Sequence, residues 1–189
     1  MPQPRLYETN AARQAAYPKR VKRNARALRN AAKDEWGTPP EWVELARTAL
    51  GSIDLDPASN AAAQAVVRAT RWYSKADDGL AQSWAGRVFL NPPYSRGLID
   101  VFTEKLVAEH DAGRVTAAVL LVNAATSSDW FKALLARFPV CWVAKRIAFL
   151  NADGRPQSGN TRTQAVFYLG DDASIFERVF GVVGKVTRP

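Results

Sequence analysis

The sequence predicts an open α/β sheet, mainly parallel, with helices on both faces and an antiparallel hairpin near the C-terminal end. Three observations carry this expectation. Strand-like and helix-like segments alternate from Ser52 onward, as in a sheet wound with crossover helices. Residues 115–122 are apolar except for Thr116, as a strand covered on both faces must be. Two apolar segments, 147–150 and 163–169, flank a connection containing Gly154 and Gly159, the pattern of a hairpin with a long loop.

Each element has its own local reason. Thr38-Pro39-Pro40-Glu41 starts a helix: Thr caps, Pro suits the first turn, and Glu suits its positive end. Trp42, Leu45, Ala46, Ala49 and Leu50 recur at helical spacing until Gly51 stops them. Residues 52–56 form a short strand, 58–70 an Ala-rich helix starting near Ser59 or Asn60, and 71–73 a brief strand. The polar stretch 74–86 is a loop, and 87–90 is a strand that stops at Asn91-Pro92-Pro93-Tyr94. Helices follow at 98–111, ended by Gly113, and at 128–137, ended before Pro139. Residues 140–144 are a further buried strand, and 172–179 the last helix.

With 189 residues, 47% of them hydrophobic and 23% charged, the chain has the size and composition of one globular domain. Its longest apolar run is six residues, 117–122, against about 20 for a membrane span. The first ten residues hold no apolar stretch to act as a secretory signal. One cysteine, Cys141, and one histidine, His110, rule out an intramolecular disulfide, a multi-cysteine zinc site and His-based triads. Chemistry is left to carboxylates, amides, aromatics, Arg/Lys or a bound cofactor, and no metal is expected.

Charge divides the chain. Residues 1–35 hold nine Lys/Arg and three acids, giving +6 of the formal +8. This basic N-terminal arm, expected to be mobile, precedes a near-neutral domain at 36–189. Such an arm fits a polyanionic partner, most often nucleic acid, through Arg20, Lys22, Arg23 and Arg26; the plain alternative is a solubilising tail.

Ligands of such sheets sit outside the carboxyl ends of the strands, which selects 54–59, 91–94 and 123–128 as one surface. Within it, Asn91-Pro92-Pro93-Tyr94 is the most informative tetrapeptide. Asn91 offers a carbonyl acceptor, the two prolines remove N–H donors, and Tyr94 offers a flat face. Together they fit a planar amino group, on a base or on a Gln amide. Accepting its hydrogens favours a pyramidal nitrogen whose lone pair can attack. The plain alternative is a turn that ends a strand.

Asn-Pro-Pro-Tyr after a strand resembles the catalytic motif of S-adenosylmethionine-dependent amino methyltransferases. Upstream, Ile53-Asp54-Leu55-Asp56-Pro57-Ala58-Ser59 resembles their cofactor motif, and Thr38-Pro39-Pro40-Glu41 a segment that holds the cofactor's methionine end. With Asp77-Asp78-Gly79-Leu80 and Trp84-Ala85-Gly86-Arg87-Val88 between them, the ordered set is similar to the phage-type DNA N-6-adenine methyltransferases, from about Glu35 to Gly170. The resemblance implies a Rossmann-like methyltransferase domain at 36–189. It implies methyl transfer from S-adenosylmethionine to adenine N6 in duplex DNA, without a metal or a covalent enzyme intermediate. It places Thr38, Pro39, Asp54, Asp56 and Pro57 at the cofactor, with Asp77 or Asp78 reading the cofactor's adenine. The target base would be flipped out and stacked on Tyr94, with Phe149 or Trp130 as a second wall.

Two departures stand out. Ser59-Asn60-Ala61 follows Asp-Pro-Ala where Gly-x-Gly is usual, and Arg71-Trp72-Tyr73 stands where an acidic ribose ligand is usual. With no long insert for target recognition, DNA contacts fall to the arm, to Arg146 and to the loop 151–162 with Arg155 and Arg162. The rival readings are an amino methyltransferase acting on RNA or a protein Gln amide, and an inactive DNA-binding protein on the same scaffold. The implied setting is the bacterial host cytoplasm, with restriction–modification as the biology and a monomer as the favoured state.

Overall fold

The structure, a computed structural model, describes residues 37–94, 97–151, 153–157 and 160–189. The basic arm expected at 1–35 lies outside them.

The described residues build one seven-stranded sheet with strand order β2-β1-β3-β4-β6-β5-β7. Helix α1 (Pro40–Leu50) leads into β1 (Leu55–Asp56), α2 (Ala61–Val67), β2 (Arg71–Trp72) and β3 (Gly86–Leu90). Then come α3 (Leu98–Asp111), β4 (Val115–Asn123), α4 (Asp129–Leu135) and β5 (Val140–Val143). β6 (Gln164–Leu169), α5 (Ala173–Phe180) and β7 (Gly184–Thr187) complete the chain. β2, β1, β3 and β4 are parallel, whereas β6 is antiparallel to both β4 and β5, and β7 is antiparallel to β5. The expected α/β class, with antiparallel strands near the C-terminus, is the one found.

The winding follows from strand periodicity. Along β4, Ala118, Leu120 and Val122 join one core while Val119 and Leu121 join the other. β3 repeats this with Val88 and Leu90 against Phe89, and β6 with Ala165, Phe167 and Leu169 against Val166 and Tyr168. Successive side chains of a strand point to opposite faces, so an apolar run with helices on both sides feeds two cores at once. α3 and α4 cover the first core through residues such as Phe102, Leu106 and Phe131. α1 and α5 cover the second through Val43, Ala46, Phe176 and Phe180.

Several expectations shift. The buried stripe of α1 is Val43, Ala46, Ala49 and Leu50, with Trp42 and Leu45 only half-buried. Pro39, not Thr38, is its N-cap, and no side chain caps the helix. α2 is shorter than expected, because Asn60 Oδ1 caps it by accepting from Ala63 N at 2.8 Å and Arg68 turns left-handed at φ 48°. Residues 147–150 do not pair with β6. Leu150 makes isolated bridges to Gly37 and Pro156, and β6 inserts between β4 and β5 instead. β7, which the reading left unassigned, extends the β5 edge from Val140–Thr187 to Val143–Gly184.

One clamp fixes the start of β1 against β3. The Asp54 carboxylate accepts from Arg87 Nε at 2.9 Å, Arg87 Nη2 at 3.0 Å and Arg87 N at 2.9 Å. Gly86 sits beside it at φ 78°, and a Cβ there would meet Asp54 Oδ2 at 2.7 Å. Left-handed backbone and steric clash act together, so Gly86→Ala should cost roughly 1–3 kcal/mol of unfolding free energy. Urea denaturation measures it, and an unchanged midpoint would count against the clamp.

Candidate active site

Three parallel strands end side by side, β1 at Asp56, β3 at Leu90 and β4 at Asn123. Two cavities open there. The smaller, of about 330 Å³, is lined by Thr38, Asp56, Ser59, Asp78, Asn91 and Pro93 among others. The larger, of about 710 Å³, runs between α3 and α4 from Tyr94 and Asn123 to Arg137, with Trp130 and Arg162 on its walls. Asn91-Pro92-Pro93-Tyr94 borders both.

The Asn91 side chain is held at both ends. Its Nδ2 donates to Thr38 Oγ1 at 3.1 Å, and its Oδ1 accepts from the Tyr94 hydroxyl at 3.0 Å. The Tyr94 oxygen also lies 3.3 Å from the Leu121 carbonyl, so one proton serves two acceptors. Burial raises the Tyr94 pKa far above that of a free phenol, which keeps the hydroxyl a donor. Phe149 meets the Tyr94 ring edge-on at 6.4 Å. Phe149 is buried and Trp130 half-buried.

Asp56 is only 3% exposed. Gln64 Nε2 donates to its Oδ2 at 2.9 Å and to Ser59 Oγ at 2.7 Å, and Ala58 N donates weakly to its Oδ1 at 3.4 Å. Desolvation outweighs these bonds and pushes the Asp56 pKa up to about 6. Across the cavity, Asp78 adopts φ 50°, and its buried Oδ1 has no hydrogen-bond partner among the described residues. Gly79 follows it. A Cβ there would lie 2.0 Å from the Pro57 carbonyl oxygen, so only glycine lets this loop close onto the end of β1. Trp84 Nε1 donates to the Gly79 carbonyl at 2.7 Å and holds the loop from below.

The sequence model of the family described as DNA N-6-adenine-methyltransferase (Dam) matches residues 26–183. The chain belongs to this family. A relative from Escherichia phage T1, named DNA N-6-adenine-methyltransferase, is 25% identical over 159 residues, which cover 74% of this chain. The chain spans 64% of that relative's length. No solved structure gives a significant match. The wound, mainly parallel sheet is that of a Rossmann-like methyltransferase.

In this Dam-family chain Thr38, Asp56, Pro57, Asp78, Asn91 and Pro93 gather on the smaller cavity. Pro39 and Pro92 are buried and line neither cavity. Asp54 is not brought to the cavity: its carboxylate is engaged by Arg87 at the far end of β3, which holds its pKa down at about 2. Asp77 is exposed and caps its own turn, accepting from Ser74 N at 2.8 Å and Ser74 Oγ at 2.6 Å. Of the two adjacent acids, only Asp78 lines the cavity. Arg162 lines the larger cavity, whereas Arg146 and Arg155 are exposed outside both. Arg20, Lys22, Arg23 and Arg26 lie outside the described residues.

Sequence reasoning singles out neither Gln64 nor Gln164, and it marks Asn123 and Gly79 only as parts of the 123–128 surface and the Asp77–Leu80 segment. Gln64 is the only polar residue of α2, and Asn123 is the polar end of a strand otherwise apolar but for Thr116. Those breaks in pattern were the available signals. Among the described residues, no cluster of three His, Cys, Asp or Glu is placed to hold a metal, and no helix is long and apolar enough to cross a membrane.

A carboxyl whose folded pKa is raised binds its proton more tightly folded than unfolded. The free protein should therefore lose stability as pH rises from about 4 to about 6 through this group. Asp56→Asn should remove that slope and raise stability at pH 7 by about 1–3 kcal/mol. Thermal unfolding of both proteins across pH 4–8 measures it; parallel curves would show that the carboxylate carries no such penalty.

Proposed function

We propose that this chain transfers a methyl group from S-adenosylmethionine to the N6 amino group of adenine in DNA, in the host cytoplasm. The observation that carries the reading is the Asn91 amide, which lines the smaller cavity and is anchored by Thr38 and by Tyr94, a residue of the larger cavity's wall.

The smaller cavity fits the cofactor on its own chemistry. The buried Asp56 carboxylate suits an ammonium, and the unpartnered Asp78 Oδ1 suits the amino group of an adenine ring. Thr38 and Pro57 would complete its walls. When bound, the cofactor supplies an electrophilic methyl group. The chain's own residues do the rest. Asn91 Oδ1, an amide acceptor at the tip of β3, would accept a hydrogen bond from N6. An amide is too weak a base to deprotonate the amine, so it orients the nitrogen and makes its lone pair available. Pro92 and Pro93 fix the backbone and add no N–H beside it. The Tyr94 ring faces the larger cavity, where a base flipped from the duplex would stack.

Asn91→Ala should leave cofactor affinity within a few-fold and lower the methylation rate by about 10²–10³. Titration calorimetry and single-turnover methylation read the two quantities. A rate near that of the unmodified protein would remove Asn91 from the chemistry. Sequencing the modified bases in DNA from expressing cells tests the whole reading, and the absence of N6-methyladenine would overturn it.

DNA affinity would come from the basic arm at 1–35 together with Arg146, Arg155 and Arg162. Lys and Arg on phosphates position a protein without reading bases. Deleting 1–33 should therefore weaken binding to all duplexes alike and flatten its salt dependence by roughly one log–log unit per lost phosphate contact. Affinity measured against salt, on specific and random duplexes, decides. An unchanged slope makes the arm a bystander, and a lost site preference moves base reading into it.

A further inference from the structure

Gln164 is a buried polar side chain, 1% exposed, at the start of β6. Its Oε1 accepts from Ile147 N at 3.1 Å. Its Nε2 donates to the Arg162 carbonyl at 2.9 Å and to Asn123 Oδ1 at 3.1 Å. A backbone N–H can only donate and a backbone carbonyl can only accept, so the Gln164 amide has one possible orientation. That orientation turns an NH₂ towards Asn123, and Asn123 must answer with its oxygen. The two residues face each other across the β4–β6 ladder, which sets their side chains on the same side of the sheet.

The consequence falls on the other end of Asn123. Its Nδ2 has no hydrogen-bond partner among the described residues, and Asn123 lines the larger cavity together with Tyr94. Asn91, on the adjoining smaller cavity, carries the amide oxygen that the reading above assigns to the amino group, and Asn123 offers a donor on the wall of the larger one. The Watson–Crick and Hoogsteen edges of adenine carry the matching pattern: a 6-amino donor flanked by the ring acceptors N1 and N7. Guanine would set O6 against the Asn91 oxygen and, on its Watson–Crick edge, an N–H against the Asn123 donor.

We infer that Asn123, oriented by Gln164, donates through Nδ2 to a ring nitrogen beside the amino group of the flipped adenine, and so selects the base. This rests on the reading of the site given above. Asn123 is a specificity residue in contact with the base; Gln164 is a positioning residue.

Asn123→Asp is the sharp test. It keeps the acceptor that Gln164 Nε2 needs and removes only the donor. The substrates are duplexes of the mapped site carrying adenine, 1-deazaadenine or 7-deazaadenine at the target position. The full-length protein should lose about 10- to 100-fold in kcat/KM on one of the two analogues, since a buried partner is left unsatisfied. Asn123→Asp should lose a similar factor on adenine and nothing further on that analogue, while thermal stability and S-adenosylmethionine affinity stay within two-fold. Gln164→Leu, which frees the Asn123 amide to rotate, should shrink the analogue penalty without changing cofactor affinity. Equal analogue penalties in the full-length protein and Asn123→Asp, or no penalty in either, would overturn the assignment. Failure of the unmodified protein to methylate any adenine duplex would instead sink the reading of the site, and this assignment with it.

Discussion

A strand that stops at Asn91 leaves an amide with a donor end and an acceptor end and no ladder to use them in. In this fold each end is tied to a different part of the chain. Thr38, just before α1, takes the donor, and Tyr94, three residues on, fills one lone pair of the acceptor. The α1 start is therefore more than a lid on the second core. Its threonine lies one residue before the N-cap and makes no capping bond; its hydroxyl accepts from Asn91. The helix accepts the loss with Pro39 and Pro40, which bring no N–H of their own to the first turn. An amide held at both ends keeps its plane and its position at the strand tip, so where it stands is built into the fold.

Asp56 shows the opposite balance. Nothing in the free protein neutralises its buried carboxylate; Gln64, Ser59 and the Ala58 N–H only soften the cost of taking it from water. A group that a neutral isostere should improve for stability is retained for something other than stability. The same holds for Asp78 Oδ1, buried with no partner in the described protein. Two acidic groups thus share one cavity, one of them with a buried oxygen that makes no hydrogen bond among the described residues. Ser59-Asn60-Ala61, not a glycine-rich loop, follows Pro57-Ala58 after β1, yet the backbone still packs closely there. The close approach is at Gly79, which passes so near the Pro57 carbonyl that no side chain fits.

The sheet was legible because burial on both faces writes itself as continuous apolar strands, and β3, α3 and β4 stand close to where periodicity put them. The order of the last strands was not legible. Residues 147–150 are as apolar as a strand, but Ile147 and Phe149 bury into the second core without pairing, while β6 takes its partners from β4 and β5. Hydropathy reports burial, and it does not report which neighbour supplies the hydrogen bonds. β7 escaped for the converse reason: an edge strand is half-exposed, and Gly184-Lys185-Val186-Thr187 has no apolar run to betray it. In the site, Asp54 and Asp56 look alike on the page, two carboxylates on either side of Leu55. Register separates them, since one meets Arg87 at the start of β3 while the other reaches the strand tip. Asp77 and Asp78 are divided in the same way by a single left-handed residue.

The charges along the larger cavity bear on how a polyanion can approach. That cavity carries Asp100, Glu104 and Asp129 along α3 and α4, with Arg137 at its far end and Arg162 near Tyr94. Carboxylates on a groove wall repel a phosphodiester backbone that tries to lie along it. On the proposed reading, the backbone is kept at the rim, near Arg162, Arg155 and Arg146, while a neutral base meets no such barrier. The acids would thereby orient the nucleotide as well as exclude the chain that carries it. On that reading a base entering with its sugar outward would meet Tyr94 first, then Asn91 and Asn123, the latter with its amide already turned by Gln164. The selectivity of such a pocket needs no moving part, because the orientation of the Asn123 amide is set by hydrogen bonds made before any base arrives.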